Sequence, residues 1–150
     1  MNTREIFGER LGELIAEKAT HEGFSKELLA NILGVKLVVV YEYLEKKYLP
    51  SFEHAILLAD CFHCSLNFLF GQSDEYLPQK FTSAKPFSEC LKKILQERGL
   101  TRYKLKKETS ISRKSIDDWF HGVCNPSIDN LIILAEYFDC SMDYLVGREN

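Results

Sequence analysis

Apolar residues recur at helical spacing along most of this chain. Phe87, Leu91, Ile94 and Leu95 follow one another at intervals that place them on one helical face, and Gly99 then predicts the end of that helix. Further helices are predicted to begin after residues that favour N-caps. These residues are Thr101, Ser112, Ser127 and Ser141. Because no segment shows the sustained alternation typical of a β-strand, the pattern predicts an all-α protein.

The second half of the chain repeats the first at an offset of 76 positions. The segment PSFEHAILLADCFHCSLNFLFG, which begins at Pro50, aligns without a gap on PSIDNLIILAEYFDCSMDYLVG, which begins at Pro126. The segment that starts at Phe7 is four residues longer than its counterpart starting at Phe87. We therefore expect two copies of one fold, with the first helix about one turn longer in repeat one.

The repeat predicts two helical domains, residues 1–75 and residues 82–150. The segment between the repeats, residues 72–86, is polar and contains proline, which is typical of a linker. Apolar residues within it are candidates to dock on a neighbouring domain, namely Tyr76, Leu77 and Phe81.

Charge is unevenly distributed between the two repeats. The formal net charge of −3 argues against a strong, unfocused polyanion binder. Residues 1–75 contain 7 Lys or Arg against 12 Asp or Glu, whereas residues 76–150 contain 12 against 10. We therefore expect any nucleic-acid surface to lie in the second half of the chain.

The apolar stretches are too short for a membrane protein. None approaches the roughly 20 residues that a membrane-spanning helix needs, and the start MNTREIFGER is charged where a signal peptide would be apolar. The five cysteines are odd in number and follow no disulfide-like spacing, so we expect reduced thiols. These features predict a cytoplasmic protein with no membrane partner.

Two segments carry a family resemblance. SKELLANILGV, which is Ser25–Val35, and TRYKLKKETSISRKSIDDWFHG, which is Thr101–Gly122, resemble the motif helices of the lambda-repressor and Cro-like superfamily, also called the xenobiotic-response-element family. The stretch NPSIDNLIILAEYF continues the likeness, which extends over nearly the whole chain in two copies. The resemblance implies two tandem five-helix lambda-repressor-like DNA-binding domains. One departure is Lys106, where the family usually has alanine.

The resemblance also implies which residues touch double-stranded DNA. Ser112, Arg113, Lys114 and Ser115 stand where family members contact bases or phosphates, and Arg102 stands where the family grips phosphate. The helical period places Ile116, Trp119 and Phe120 inward. The same period leaves further polar residues outward, namely Asp117, Asp118 and His121.

The two aspartates have two possible consequences. Asp117 and Asp118 lie four residues after Arg113 and Lys114, so each can pair with a cation along the helix. An aspartate can accept a hydrogen bond from cytosine, but it repels phosphate. The acidic pair therefore either sets specificity or marks a lost DNA site.

Repeat one presents a different surface at the corresponding helix. The helical period places Val40, Tyr43 and Leu44 inward and leaves an apolar and acidic face outward. We expect no DNA contact from this helix, because it lacks cationic donors. The candidate interface residues are Leu37, Val38, Val39 and Tyr41. They either support a homodimer, packing against repeat two or a partner protein, or belong to the core of their own domain.

The remaining motifs do not indicate an enzyme. Cys61, His63 and Cys64 resemble a short zinc motif, but the repeat aligns Cys64 with Cys140, which favours a buried structural thiol. No phosphate-binding loop, nucleophile elbow or paired-carboxylate site is present in the sequence. We expect no cofactor, no metal and no small-molecule substrate.

Two functions remain open from the sequence. The first is a sequence-specific DNA-binding transcriptional regulator that reads DNA with repeat two and uses repeat one for assembly or partner contact. The second is a protein-interaction adaptor that kept the helix-turn-helix scaffold without binding DNA.

Overall fold

The fold consists of helices joined by short turns within each half of the chain and by a longer segment between α-helical residues 69 and 87. The computed structural model describes residues 1–76 and 79–149, except for the side chain of Glu22, and all regular structure in those residues is helical. The chain divides into two compact units, Met1–Lys80 and Phe81–Asn150. Within the described residues, no helix is long and apolar enough to cross a membrane.

The first unit contains a long N-terminal helix and four shorter ones. The helices are α1 (Thr3–Glu22), α2 (Lys26–Leu33), α3 (Leu37–Leu44), α4 (Phe52–Phe62) and α5 (Leu66–Leu69). Phe7 stacks on Phe70, with ring centroids 5.3 Å apart, and meets Tyr43 edge-on at 5.6 Å. All three rings are buried, so they hold α1 against α3 and the end of α5.

The second unit repeats this order of helices. They are α6 (Phe87–Arg98), α7 (Arg102–Glu108), α8 (Arg113–Phe120), α9 (Ile128–Phe138) and α10 (Met142–Leu145). The four expected N-caps are confirmed, because each side-chain oxygen accepts a hydrogen bond from a backbone N–H three residues later. Gly99 ends α6 in the left-handed conformation, with φ of 62°, as expected.

The first helix exceeds the predicted length. One extra turn was expected relative to repeat two, but α1 has 20 residues and α6 has 12. Asn2 caps α1 by accepting a hydrogen bond from the Glu5 amide, so the helix includes the residues ahead of Phe7. In repeat two, Pro86 stands directly before Phe87 and has no N–H to continue a helix backwards, so α6 begins there.

The segment between the repeats is attached at both ends. The Tyr76 hydroxyl donates to the Phe62 carbonyl oxygen at 3.1 Å, which ties this residue to the first unit. In the second unit, the Arg148 guanidinium lies 4.2 Å from the Phe81 ring centroid. The Lys85 amide donates to the Val146 carbonyl oxygen at 2.9 Å. Leu77 lies outside the described residues.

The two aligned cysteines differ in burial. Cys64 is fully buried, as expected for a structural thiol. Cys140 is half-buried, and its burial raises the pKa of the thiol to about 11. The Cys140 thiol is therefore protonated at neutral pH and is a weak nucleophile.

One charged pair lies inside the second unit. Asp143, the second residue of α10, and Arg148 are each 1% exposed, and the Arg148 Nη1 donates to the Asp143 carboxylate. Asp129 is the second residue of α9 but is exposed. The two aspartates therefore share a place near a helix N-terminus and differ in burial.

We predict that Asp143→Ala destabilises the second unit by about 3–5 kcal/mol, because it leaves a buried guanidinium without its carboxylate. Asp129→Ala is the matched control and should cost less than about 1 kcal/mol. Trp119, the single tryptophan, is 3% exposed, so its fluorescence during urea unfolding reports on this unit. Equal losses for the two variants would contradict the prediction.

Candidate nucleic-acid interface

Helix α8 is anchored by two apolar side chains. Ile116 is fully buried and Trp119 is 3% exposed, and the Trp119 ring meets Phe87 of α6 edge-on at 6.2 Å. At the start of the helix, the Ser112 hydroxyl accepts from the Ser115 amide at 3.2 Å and donates to the Ser115 hydroxyl at 3.0 Å. The opposite side of α8 therefore faces solvent in a defined orientation.

The prediction that Phe120 lies in the core is wrong. Its side chain is half-buried, and its ring lies 4.1 Å from the Arg102 guanidinium and 5.1 Å from the Lys92 ammonium. Phe120 is the last residue of α8, at the margin of the buried stripe, where cations from α6 and α7 can reach its faces. The sequence analysis missed Lys92, because helical periodicity carries no signal for a contact between distant helices.

The exposed side of α8 carries two ion pairs. Arg113 Nε donates to Asp117 Oδ1 at 3.0 Å, and Lys114 Nζ donates to Asp118 Oδ2 at 2.8 Å. The side chains of Arg113 and Lys114 are 47% and 85% exposed. Both pairs expected from the four-residue spacing are therefore formed, and both cations remain accessible.

Asp117 also binds a second guanidinium. Arg102 Nη1 donates to the same Oδ1 atom at 3.0 Å, and the Arg102 side chain is 29% exposed. The hydrogen bond from Arg113, together with the charges of both arginines, lowers the pKa of Asp117. This carboxylate is therefore ionised at neutral pH and joins α7 to α8.

His121 extends the same cluster. Its Nε2 lies 3.3 Å from Arg102 Nη1. Because a guanidinium can only donate, a hydrogen bond here requires Nε2 to accept, which places the imidazole proton on Nδ1. The structure thus brings together Arg102, Arg113, Asp117 and His121, while Lys114 and Asp118 form a separate pair.

The corresponding surface of the first unit is apolar. Val38 and Tyr41 are 56% and 41% exposed, whereas Leu37 and Val39 are half-buried. Leu44, expected to face inward, is also half-buried. Two of the four candidate interface residues therefore present large apolar areas to solvent, and the other two do so in part.

Two further apolar residues of the first unit were missed. Leu28 and Ile32 of α2 are 45% and 41% exposed. They lie four positions apart, so they share a helical face, while the adjacent Leu29 and Leu33 are buried. A helical projection of this segment could have separated the two faces.

A comparison with protein families finds a helix-turn-helix match in the second unit. Residues 91–145 match the helix-turn-helix family model. The matched segment begins within α6 and ends at the last residue of α10, so it contains the whole cluster around Asp117. No curated protein and no solved structure matches the chain. The sequence of this segment is therefore similar to that of helix-turn-helix domains.

Proposed function

We propose that this protein is a sequence-specific DNA-binding transcriptional regulator whose second unit reads duplex DNA with α8. The observation that carries the proposal is the pair of exposed cations, Arg113 and Lys114, in the first turn of α8. This turn lies inside the segment that matches the helix-turn-helix family. The major groove of B-DNA is about 12 Å wide and admits an α-helix, whose N-terminal residues then reach the base edges.

The side chains near the start of α8 divide into two roles. Arg113 is the base reader, because a guanidinium can bond two acceptors on guanine, which is worth about 1–3 kcal/mol of discrimination. Lys114 is suited to phosphate, since it is a point charge on a flexible chain. Ser112 and Ser115 add hydroxyl groups at the same end of the helix.

Helix α7 supplies the flanking contacts. Arg102 has a second Nη group besides the one that contacts Asp117 and His121. Lys104 and Lys107 are exposed on the same short helix. Phosphate contacts of this kind hold the helix in register on the duplex but do not read the sequence.

The first unit is proposed to serve assembly. Large apolar side chains are exposed on α2, at Leu28 and Ile32, and on α3, at Val38 and Tyr41, and exposed apolar surface of this kind is typical of a protein contact. A homodimer formed through this surface would join two copies of the DNA-reading unit, which suits a two-fold DNA site.

The adaptor remains the second candidate function. The observation that favours it is the pairing of both α8 cations with carboxylates, which offsets their attraction for phosphate. DNA binding at low salt distinguishes the two functions, because an adaptor should bind no duplex there.

We predict that the chain selects a preferred sequence from random duplex DNA and that its affinity falls as salt rises. Arg102→Ala should reduce the slope of log affinity against log salt by about 1, while Arg113→Ala should relax base preference. Lys26, which occupies the position of Arg102 in repeat one, is the matched control. Lys26→Ala should leave slope and preference unchanged. Enrichment of no motif would contradict the prediction.

We predict that Val38→Asp combined with Tyr41→Asp converts a dimer into a monomer, because charges cannot be buried unpaired in an apolar interface. Tyr48→Asp is the control, since Tyr48 is 57% exposed and lies outside α3. The measurement is molar mass by light scattering. The same mass for wild type and for a folded double variant would rule out this interface.

A further inference from the structure

We propose that Asp117 is a positioning residue that sets base specificity by holding the Arg113 guanidinium through its Nε atom. This inference rests on the proposed function of the second unit. An arginine that is paired in this way can still read a base, and the two aspartates of α8 then have different roles.

The atoms used by the ion pair leave one edge of the guanidinium open. Asp117 Oδ1 accepts from Arg113 Nε at 3.0 Å. Among the described residues, Nη1 and Nη2 of Arg113 have no hydrogen-bond partner. A guanidinium can present two parallel N–H groups either from Nε with one Nη or from both Nη atoms. Because Nε is occupied, only the second edge remains, and it suits the O6 and N7 acceptors of guanine.

The carboxylate is itself held from the neighbouring helix. Arg102 donates to the same Oδ1 at 3.0 Å, and its guanidinium lies 4.1 Å from the Phe120 ring centroid. Phe120 is half-buried and also faces Lys92 at 5.1 Å. The Asp117 carboxylate is therefore held by Arg102 of α7, and this restrains the orientation that Asp117 imposes on Arg113.

The charges of the two pairs differ. Asp117 is shared by two guanidinium groups, so this cluster keeps an excess of one positive charge. In the part of the chain that the structure describes, the Asp118 carboxylate pairs with Lys114 alone, and that pair is neutral overall. An ammonium group has no fixed planar edge, so Asp118 cannot direct a bidentate contact through Lys114. The cluster around Asp117 thus keeps a net attraction for DNA while its carboxylate orients a donor pair, whereas Asp118 only offsets the charge of Lys114.

Repeat one lacks this arrangement. The residues at the positions of Arg113, Asp117 and Arg102 are Leu37, Tyr41 and Lys26. The Lys26 ammonium lies 5.7 Å from the Tyr41 ring centroid, and no carboxylate occupies the place of Asp117. The cluster is therefore a property of the second unit alone.

The test compares Asp117→Ala with Asp118→Ala in the full chain. Both variants lose one negative charge from the same helix and one pair between residues four positions apart, and they differ in that Asp117 alone holds guanidinium groups, those of Arg113 and Arg102. The first probe is the duplex that the wild-type protein selects. In the second probe, adenine replaces one guanine of that duplex, namely the guanine whose preference is lost in Arg113→Ala. Wild type should discriminate between them by about 5- to 150-fold.

Asp117→Ala should lower this ratio to that of Arg113→Ala, while Asp118→Ala keeps the wild-type ratio and binds both duplexes more tightly. In the Arg113→Ala background, Asp117→Ala should not change the ratio further, because the residue acts through Arg113.

A pair that merely stabilises the helix would alter unfolding, followed by Trp119 fluorescence, without altering the ratio. If Asp117→Ala does not fold, Asp117→Asn is measured instead, and its ratio should fall because a neutral amide holds two guanidinium groups weakly.

The outcomes separate this inference from the proposed function. If wild type and Asp118→Ala discriminate and folded Asp117→Ala does so equally well, the role of Asp117 is overturned and DNA reading stands. If wild type binds no duplex at low salt, the proposed function fails and the inference fails with it.

Discussion

Burial of Ile116 and Trp119 determines which side of α8 meets solvent. Both side chains pack into the second unit, with Trp119 edge-on to Phe87 of α6. Because a helix repeats every 3.6 residues, Asp117 and Asp118, which lie between these two anchors, face away from the core. Arg113 and Lys114, one turn earlier, are exposed beside them, and the cluster around Asp117 forms at the margin between the two faces.

The two units share the same helix caps and helix ends but differ in their surfaces. Ser25 and Thr101 cap α2 and α7, and Gly23 and Gly99 end the preceding helices in the left-handed conformation. Where α8 displays ion pairs, α3 displays Val38 and Tyr41. Positions that face the core are restricted by packing, whereas the outer face of a short helix can change without altering the fold. The two units thus combine the same order of helices with chemically different outer faces.

Local physics explains what the sequence could predict. The caps at Ser112 and Ser127 and the four-residue pair from Arg113 to Asp117 depend on neighbours along one helix, and all three were predicted. Interactions between helices were not predictable in this way. The contact of Lys92 with Phe120 and the second guanidinium on Asp117 join residues that are far apart in the chain.

The length of α1 and the burial of Asp143 also depend on more than the local pattern. Asn2 caps α1 several residues before its first buried apolar residue, Phe7, and apolar periodicity alone cannot predict a cap so far ahead. Asp143 has the sequence features of an exposed helix-start residue, yet Arg148 reaches it from beyond the end of α10. The Asp143 pair shows that a polar residue can be buried in the packed unit when its partner lies outside the helix that contains it.

A titration of the full chain with its selected duplex, followed by backbone amide chemical shifts, tests most directly whether α8 reads DNA. If α8 does so, the perturbations concentrate in residues 102–121, are strongest near Ser112, Arg113 and Lys114, and spare residues 26–45. Perturbations centred on residues 26–45, or none at saturating duplex and low salt, would contradict it.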